Sequence, residues 1–358
     1  MNKPLLSICI PTYNRAELLR PALLSLLPQV KELGGVVELI VSDNCSTDNT
    51  KEVVEWARRY GPVRYSKNEV NIGFMRNILK LTNEMAGGDF CWIVGDDDFV
   101  MPEAIHNIIE TIKLHGDIDY IFAVESSIDT KIVRELSVRD ICVSSKDFMH
   151  LAKSKVSVEK RLIKKWETLI DPEIRFDYLG FLPNSIFRTH IWKSVDMNGI
   201  SGEDFADWKS VYPHVYILGM AYFGKKAIYS GDPLIIMGDG SRDWAGNEGF
   251  WSGYLPVIYL SYFDDMISFF HSKGLRGKLY KKCRMAQAII VGSYLWDFVF
   301  LKYSQKIVIP ASEQIKLVNI IRYMFYLDFW NVFMPIARPR LSVFIVNRIK
   351  RIIRIFKI

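Results

Sequence analysis

Apolar positions along the first part of the chain follow two alternating rhythms. Residues 5–10 (LLSICI) and 36–41 (VVELIV) are short unbroken apolar runs, stopped by Pro11 and by Ser42 and Asp43. Runs of that length without polar alternation predict strands buried on both faces, as in a parallel sheet. Between them Leu18, Leu19, Leu23, Leu26 and Leu27 fall at helical spacing. An Asn14-x-x-Glu17 pattern predicts a capping box for that helix, and Pro21, one turn inside it, predicts a bend. The alternation continues with a helix over 47–60, a strand near 63–66, a helix over 74–85 and a strand over 90–94. A helix near 102–114 and a strand near 120–124 follow, whereas 129–165 is polar and carries no readable period.

Such alternation predicts an α/β fold, a mostly parallel sheet with helices on both faces. Ligands of these sheets bind beyond the carboxyl ends of the strands, and the polar clusters Thr12-Tyr13-Asn14, Asp43-Asn44 and Asp96-Asp97-Asp98 all fall there. A Pro/Gly/Asp-rich stretch, SGDPLIIMGDGSRDWAGNEG, contains a short strand over 234–237 and marks the end of the α/β part. The expected division is a catalytic domain over 1–245 and a helical region over 246–358, rich in aromatic residues, Lys and Arg.

Composition narrows the class. With 358 residues, 49% hydrophobic and 24% charged, the chain has material for a large core, which excludes global disorder. Five scattered cysteines without C-x-x-C spacing read as reduced thiols, and the N-terminal apolar run is too short for a signal peptide. No long apolar window lacks charge, so no transmembrane span is expected. These readings predict a cytoplasmic protein, soluble or peripheral on a membrane. The net charge of +6 is concentrated at one end: between Met334 and Ile358 stand seven Lys or Arg and no acid. On a helical wheel Ile345, Val346, Ile349, Ile352, Ile353 and Phe356 share one face and Arg348, Lys350, Arg351, Arg354 and Lys357 the other. That pattern predicts a helix lying in an anionic bilayer interface, in preference to one docked on the protein's own helices. Nucleic-acid motifs and zinc ligands are absent, so no nucleic-acid partner is expected.

Three adjacent aspartates at the end of an apolar strand (CWIVGDDDF) repel one another. Carboxylates on a turn beside Gly95 suit a hard cation, Mg2+ or Mn2+, shared with phosphate oxygens; a solvated acidic turn or helix cap is the alternative. Asp43 either begins an Asx turn or accepts a nucleobase N–H, and Tyr13 can stack on that base.

Four fragments, SICIPTYNR, ELIVSDNCSTDNT, NEVNIGFMRN and GDFCWIVGDDDFVMPEA, resemble in order and spacing the N-terminal half of family 2 glycosyltransferases of the glycosyltransferase-A fold. The nearest variety is the O-antigen abequosyltransferase type. The resemblance implies an inverting transfer of a hexosyl or deoxyhexosyl group from a nucleotide-sugar donor to a hydroxyl of a polyprenyl-diphosphate-linked glycan, in bacterial surface polysaccharide synthesis on the cytoplasmic face of the membrane. It places donor binding at Pro11, Thr12, Tyr13, Arg15, Asp43, Asn71, Gly73, Arg76 and Asp96. The family's usual pattern after the strand is D-x-D-D, and Gly95 stands where its first aspartate belongs. Asp97 becomes the main metal ligand, Asp98 the second, and metal dependence is expected to be weaker or optional. The general base falls among Glu203, Asp204 and Asp207. His214, Arg242 and Trp244 are candidates for the diphosphate and acceptor side. The competing readings are a sugar-phosphate nucleotidyltransferase, for which PTYNRAE lacks the expected glycines, and a non-catalytic membrane-associated nucleotide-sugar binding protein.

Overall fold

A computed structural model of the chain describes residues 3–129, 159–198, 200, 206–239, 257–303 and 317–334. The chain divides into two compact units, Met1–Leu169 with Leu179–Trp244, and Ile170–Tyr178 with Ala245–Ile358.

The first unit is built on a sheet in which four of the expected strands run parallel. β1 (Leu6–Thr12) pairs on one side with β2 (Val37–Asp43), which pairs with β3 (Arg64–Lys67), and on the other side with β4 (Phe90–Ile93). Leu6, Ile8, Cys9 and Ile10 are fully buried, which explains the unbroken apolar run: in a covered parallel sheet neither face of the strand meets water. α1 (Ala16–Leu33) runs through both Pro21 and Pro28. It buries Leu19, Leu23, Leu26, Leu27 and Val30 in the main core, each contributing about 2 kcal/mol of transfer free energy. The expected Asn14–Glu17 capping box does not form. Arg15 is the N-cap and makes no side-chain cap bond, and the first helical N–H, from Ala16, instead donates to Asp48 Oδ2 at 2.9 Å.

α2 (Thr50–Ala57) is shorter than the sequence pattern implies. α3 (Phe74–Leu79) starts at Gly73, whose φ of 85° lies in the region that favours glycine, and passes into a π-helical turn over Lys80–Met85. β5 (Phe99–Val100) and α4 (Ala104–Leu114) follow the aspartates.

The remaining strands make the sheet mixed. β6 (Tyr120–Asp129) is longer than expected, and β7 (Arg161–Ile163) and β8 (Ser185–Arg188) were not legible as strands. α5 (Thr189–Lys193), α6 (Trp208–Val211) and α7 (Pro213–Ala221) precede β9 (Ala227–Asp239). The stretch SGDPLIIMGD therefore lies within one 13-residue strand, with register shifts at its Gly/Pro positions, rather than forming a linker. The strand order is β3-β2-β1-β4-β8-β6-β9-β5, with β7 on β9. The α/β architecture expected from the sequence is what forms, enlarged by antiparallel strands.

The second unit is helical: a π-helical turn over Ile258–Tyr262, then α8 (Phe263–Lys273), α9 (Gly277–Tyr303) and α10 (Leu317–Tyr323). Leu260, Ala288, Val291, Ile320, Tyr323 and Phe329 form its core. Among the described residues no helix is long and apolar enough to cross a membrane. The basic segment 341–358 lies outside the described residues.

Candidate active site

Parallel pairing puts the carboxyl ends of β1, β2, β3 and β4 on one edge. Thr12 sits opposite Asp43, Asp43 opposite Lys67, and Cys9 opposite Ile93, two residues before Gly95. The loops beyond β1 and β2 are stitched together. Asn14 N donates to Ser46 Oγ at 2.8 Å, Asn14 Oδ1 accepts Thr47 N at 2.7 Å, and Asp48 holds the start of α1. Asn14 and Cys45 adopt positive φ (53° and 71°) to make these approaches. Asp48 is a residue that sequence reasoning missed, because its partner lies on another loop.

Two of the three aspartates meet one cation. Arg15 Nη1 donates to Asp96 Oδ1 at 2.6 Å and Nη2 to Asp97 Oδ2 at 2.8 Å, while Thr12 Oγ1 donates to Asp96 Oδ2 at 2.8 Å. Asp98 turns the other way, its Oδ2 accepting Gly95 N at 3.2 Å and its Oδ1 accepting Gly238 N at 3.3 Å, which ties the end of β9 to the acidic turn. Gly95 has a steric reason to be glycine: a Cβ there would stand 2.8 Å from Asp97 Oδ1 and closer still to Asp98 Oδ2.

Burial pushes the Asp96 carboxyl up to about 7, against the pull of Arg15. Burial and then the Asp97 charge hold Asp98 well above the ordinary carboxyl range. The Arg15 guanidinium is partly desolvated, yet Asp96 and Asp97 raise its pKa overall. Asp97 is the outward member, its side chain 16% exposed against 5% for Asp96.

Of the two tasks expected of Asp43, a local backbone bond and a base contact, the first is the one seen in the chain. Asp43 is fully buried, with Oδ1 accepting the N–H of Ser46, three residues on, at 2.7 Å and Oδ2 accepting the Tyr65 hydroxyl at 2.6 Å. A base contact there requires Tyr65, which arrives from the neighbouring strand, to move off. Burial and the Asp43 bond hold the Tyr65 phenol above its usual range, so it remains the donor.

Asn44, the next residue, organises the third loop. Its Nδ2 donates to Asn71 Oδ1 at 2.7 Å, and its Oδ1 accepts from Asn68 Nδ2 and Ile72 N, both at 3.0 Å. Asn71 Oδ1 also accepts Gly73 N at 2.9 Å. Asn71 and Gly73 thus shape the entry to α3 and leave Arg76 exposed on its first turns. Tyr13 is 43% exposed beside the half-buried Pro11.

The remaining candidates separate. Asp207 is the N-cap of α6 in a capping box: its Oδ1 accepts Ser210 N at 2.8 Å and its own N–H donates to Ser210 Oγ at 3.0 Å. One of its two oxygens therefore has a structural task. His214 is 2% exposed, with Nε2 at 3.2 Å and 3.1 Å from the carbonyls of Leu179 and Gly180, a backbone contact in place of the open imidazole expected for a phosphate or metal. Glu203, Asp204, Arg242 and Trp244 lie outside the described residues.

Residues 7–156 match the family described as Glycosyl transferase family 2. The chain carries a family 2 glycosyltransferase domain. It is 30% identical over 237 residues to abequosyltransferase RfbV of Salmonella typhimurium, covering 65% of this chain and 66% of that one. It is 36% identical over 121 residues to an uncharacterized glycosyltransferase of Haemophilus influenzae, where the match covers 33% of this chain and 38% of the relative. The chain thus spans just under two thirds of the first relative and well under half of the second. By structure it is similar to S. aureus TarS 1-349 (TM-score 0.53, 18% identity, 89% of this chain and 80% of that one), which is a likeness of fold.

Within the glycosyltransferase domain the acidic turn fits one kind of metal site and not another. Asp98 is buried and its carboxylate accepts two backbone N–H groups, which leaves Asp97 the more open member of the expected Asp97–Asp98 pair. Among the described residues no group of three or more His, Cys, Asp or Glu is placed to hold a metal by itself. What fits is a hard dication taking one carboxylate from Asp97 and the rest of its oxygens from a diphosphate and water.

Proposed function

We propose that the chain is an inverting glycosyltransferase. It moves a hexosyl or deoxyhexosyl group from a nucleotide-sugar donor to a hydroxyl of a polyprenyl-diphosphate-linked glycan, at the cytoplasmic face of a bacterial membrane. The observation that carries this reading is the meeting of Thr12, Arg15, Asp96 and Asp97 at the ends of parallel strands in a family 2 domain. That TarS was crystallised in complex with UDP-GlcNAc supports a nucleotide-sugar donor here.

The division of labour follows from exposure. Tyr13 offers an open ring for the nucleobase, Arg76 an exposed cation for the diphosphate, and the Asn44–Asn71–Gly73 loop fixes where Arg76 stands. Mg2+ or Mn2+ at Asp97 supplies charge neutralisation for the departing diphosphate when bound. In the single displacement the acceptor oxygen forms a bond to the anomeric carbon as the bond to the diphosphate oxygen breaks. The acceptor's proton passes to a carboxylate among Glu203, Asp204 and Asp207, and the nucleoside diphosphate leaves. The basic amphipathic segment 341–358 keeps the protein at the membrane where such an acceptor resides.

The test is to incubate the protein with a panel of nucleotide sugars, Mn2+ or Mg2+, and a polyprenyl-diphosphate glycan extract. The expected result is acceptor-dependent release of nucleoside diphosphate with inverted product stereochemistry. Pyrophosphate release from nucleoside triphosphate and sugar phosphate would overturn it in favour of nucleotidyl transfer, and donor binding without turnover in favour of a binding protein.

A further inference from the structure

In the helical unit, α10 ends at Tyr323, the chain turns over 324–326, and a second helical stretch runs over 327–334. Its inner side is firmly seated. Ile320, Tyr323 and Phe329 are buried with Leu260, Ala288 and Val291. The Phe329 backbone comes so near α9 that a Cβ on Gly292 would lie 2.7 Å from its carbonyl oxygen. The orientation of the segment is thereby fixed.

The outer side is apolar as well. Ile321, Met324, Phe325, Leu327, Trp330 and Met334 are 48%, 38%, 86%, 74%, 37% and 37% exposed. They make up six of the eight exposed residues between 321 and 334, the others being Arg322 and Asn331. A helix on a water-facing surface is normally polar outward, and a contiguous apolar ridge marks a surface that something covers. The Trp330 indole N–H already donates to Met324 O at 2.8 Å, so the tip of the ridge needs no polar partner.

Charge identifies what covers it. The only acid in 317–334 is Asp328, and from Met334 to the end follow seven Lys or Arg and no acid. A second copy would bring the same cationic sequence against itself, whereas an anionic bilayer complements both the ridge and the cations. We infer that the ridge formed by Phe325, Leu327 and their neighbours inserts into the interfacial zone of an anionic lipid bilayer. It is a seat separate from the basic segment 341–358. This deepens the membrane reading above but rests on side chains of the helical unit and not on sugar transfer.

The test uses the full chain, with the basic segment intact, in co-flotation with vesicles of phosphatidylglycerol and phosphatidylcholine, or of phosphatidylcholine alone, and no donor present. The wild-type protein is expected to bind the anionic vesicles, and Phe325→Glu with Leu327→Glu to bind them about tenfold more weakly or less. Should the double variant melt early, Phe325→Ser alone carries the same test, with an expected loss of about threefold. Unchanged binding by the variants would overturn the inference by assigning all affinity to the basic segment. A wild-type chain that ignores the vesicles, or a solution dimer that the variants dissociate, would overturn it too.

Discussion

Two clusters of buried charge, one in each unit, are built on different balances. In the helical unit a single acid, Asp264, is met by Arg284 on Oδ1, by the Tyr323 hydroxyl, and by Arg322 Nη1 at 3.3 Å from Oδ2, with the Arg284 guanidinium 4.7 Å above the Tyr323 ring. Burial and the Asp264 charge keep the Tyr323 phenol far above its usual range, so it donates and stays neutral. At the strand ends of the glycosyltransferase domain three adjacent acids stand beside one Arg, which pairs with Asp96 and Asp97. The first cluster is closed, because its one acid has two guanidinium partners, Arg284 buried beside it and Arg322 half-exposed. The second carries surplus negative charge, and burial raises both Asp96 and Asp98, which favours their neutral forms. Unmatched acid at strand ends is the charge that a cationic ligand complements, and an acid fully matched between helices is an internal brace.

Substitutions can break or sharpen that contrast. The largest effect belongs to Asp97→Asn, expected to lower sugar transfer by about 100- to 1,000-fold in a steady-state assay, with little change in melting temperature. Arg15→Ala removes the one counter-charge and leaves Asp96 buried and unpaired, which should cost about 3 kcal/mol in urea denaturation and depress transfer as well. Arg284→Ala should destabilise by a similar amount, about 3 kcal/mol, and leave the rate per folded molecule unchanged; a selective loss of activity would erase the distinction between brace and site. Tyr65→Phe, which takes the donor from Asp43 Oδ2, should cost about 1–2 kcal/mol of stability. Smallest is Asp207: Ala there removes the cap for about 1 kcal/mol, while Asn preserves it. If Asp207→Asn keeps transfer within a few-fold, the base is not Asp207; a collapse of transfer in that well-folded variant would name it.

The legible part of this molecule was the part governed by local rules. β1, β2 and β4 announced themselves because strands buried on both faces read as apolar runs, and their polar ends pointed to Thr12, Asp43 and the acidic turn. Gly95 was noticed as an oddity in a motif, but only the packing showed that it makes room for two carboxylates. Asp43 left a turn role and a base contact undecided because its cover, Tyr65, belongs to the next strand and no spacing rule links the two. The same holds for Asp48, which caps α1 from another loop in place of the Asn14–Glu17 pairing suggested by spacing. Short antiparallel strands such as Ser185–Arg188 gave no signal, since four residues are too few for a period and their pairing is wholly tertiary. The ridge at 321–334 was legible only in part: Trp330 and Phe333 stood out as aromatic residues near the basic segment, and only the fold tells which apolar residues face outward.

The central claim is that the surplus charge at the strand ends seats a dication shared with a nucleoside diphosphate through Asp97. It is tested most directly by calorimetric titration of nucleoside diphosphates into the full chain with and without Mn2+. The account predicts that Mn2+ strengthens diphosphate binding by about tenfold or more, that the diphosphate strengthens Mn2+ binding equally, and that Asp97→Asn abolishes this coupling. Diphosphate affinity that is indifferent to Mn2+ in the wild-type protein, or coupling that survives in Asp97→Asn, would contradict it.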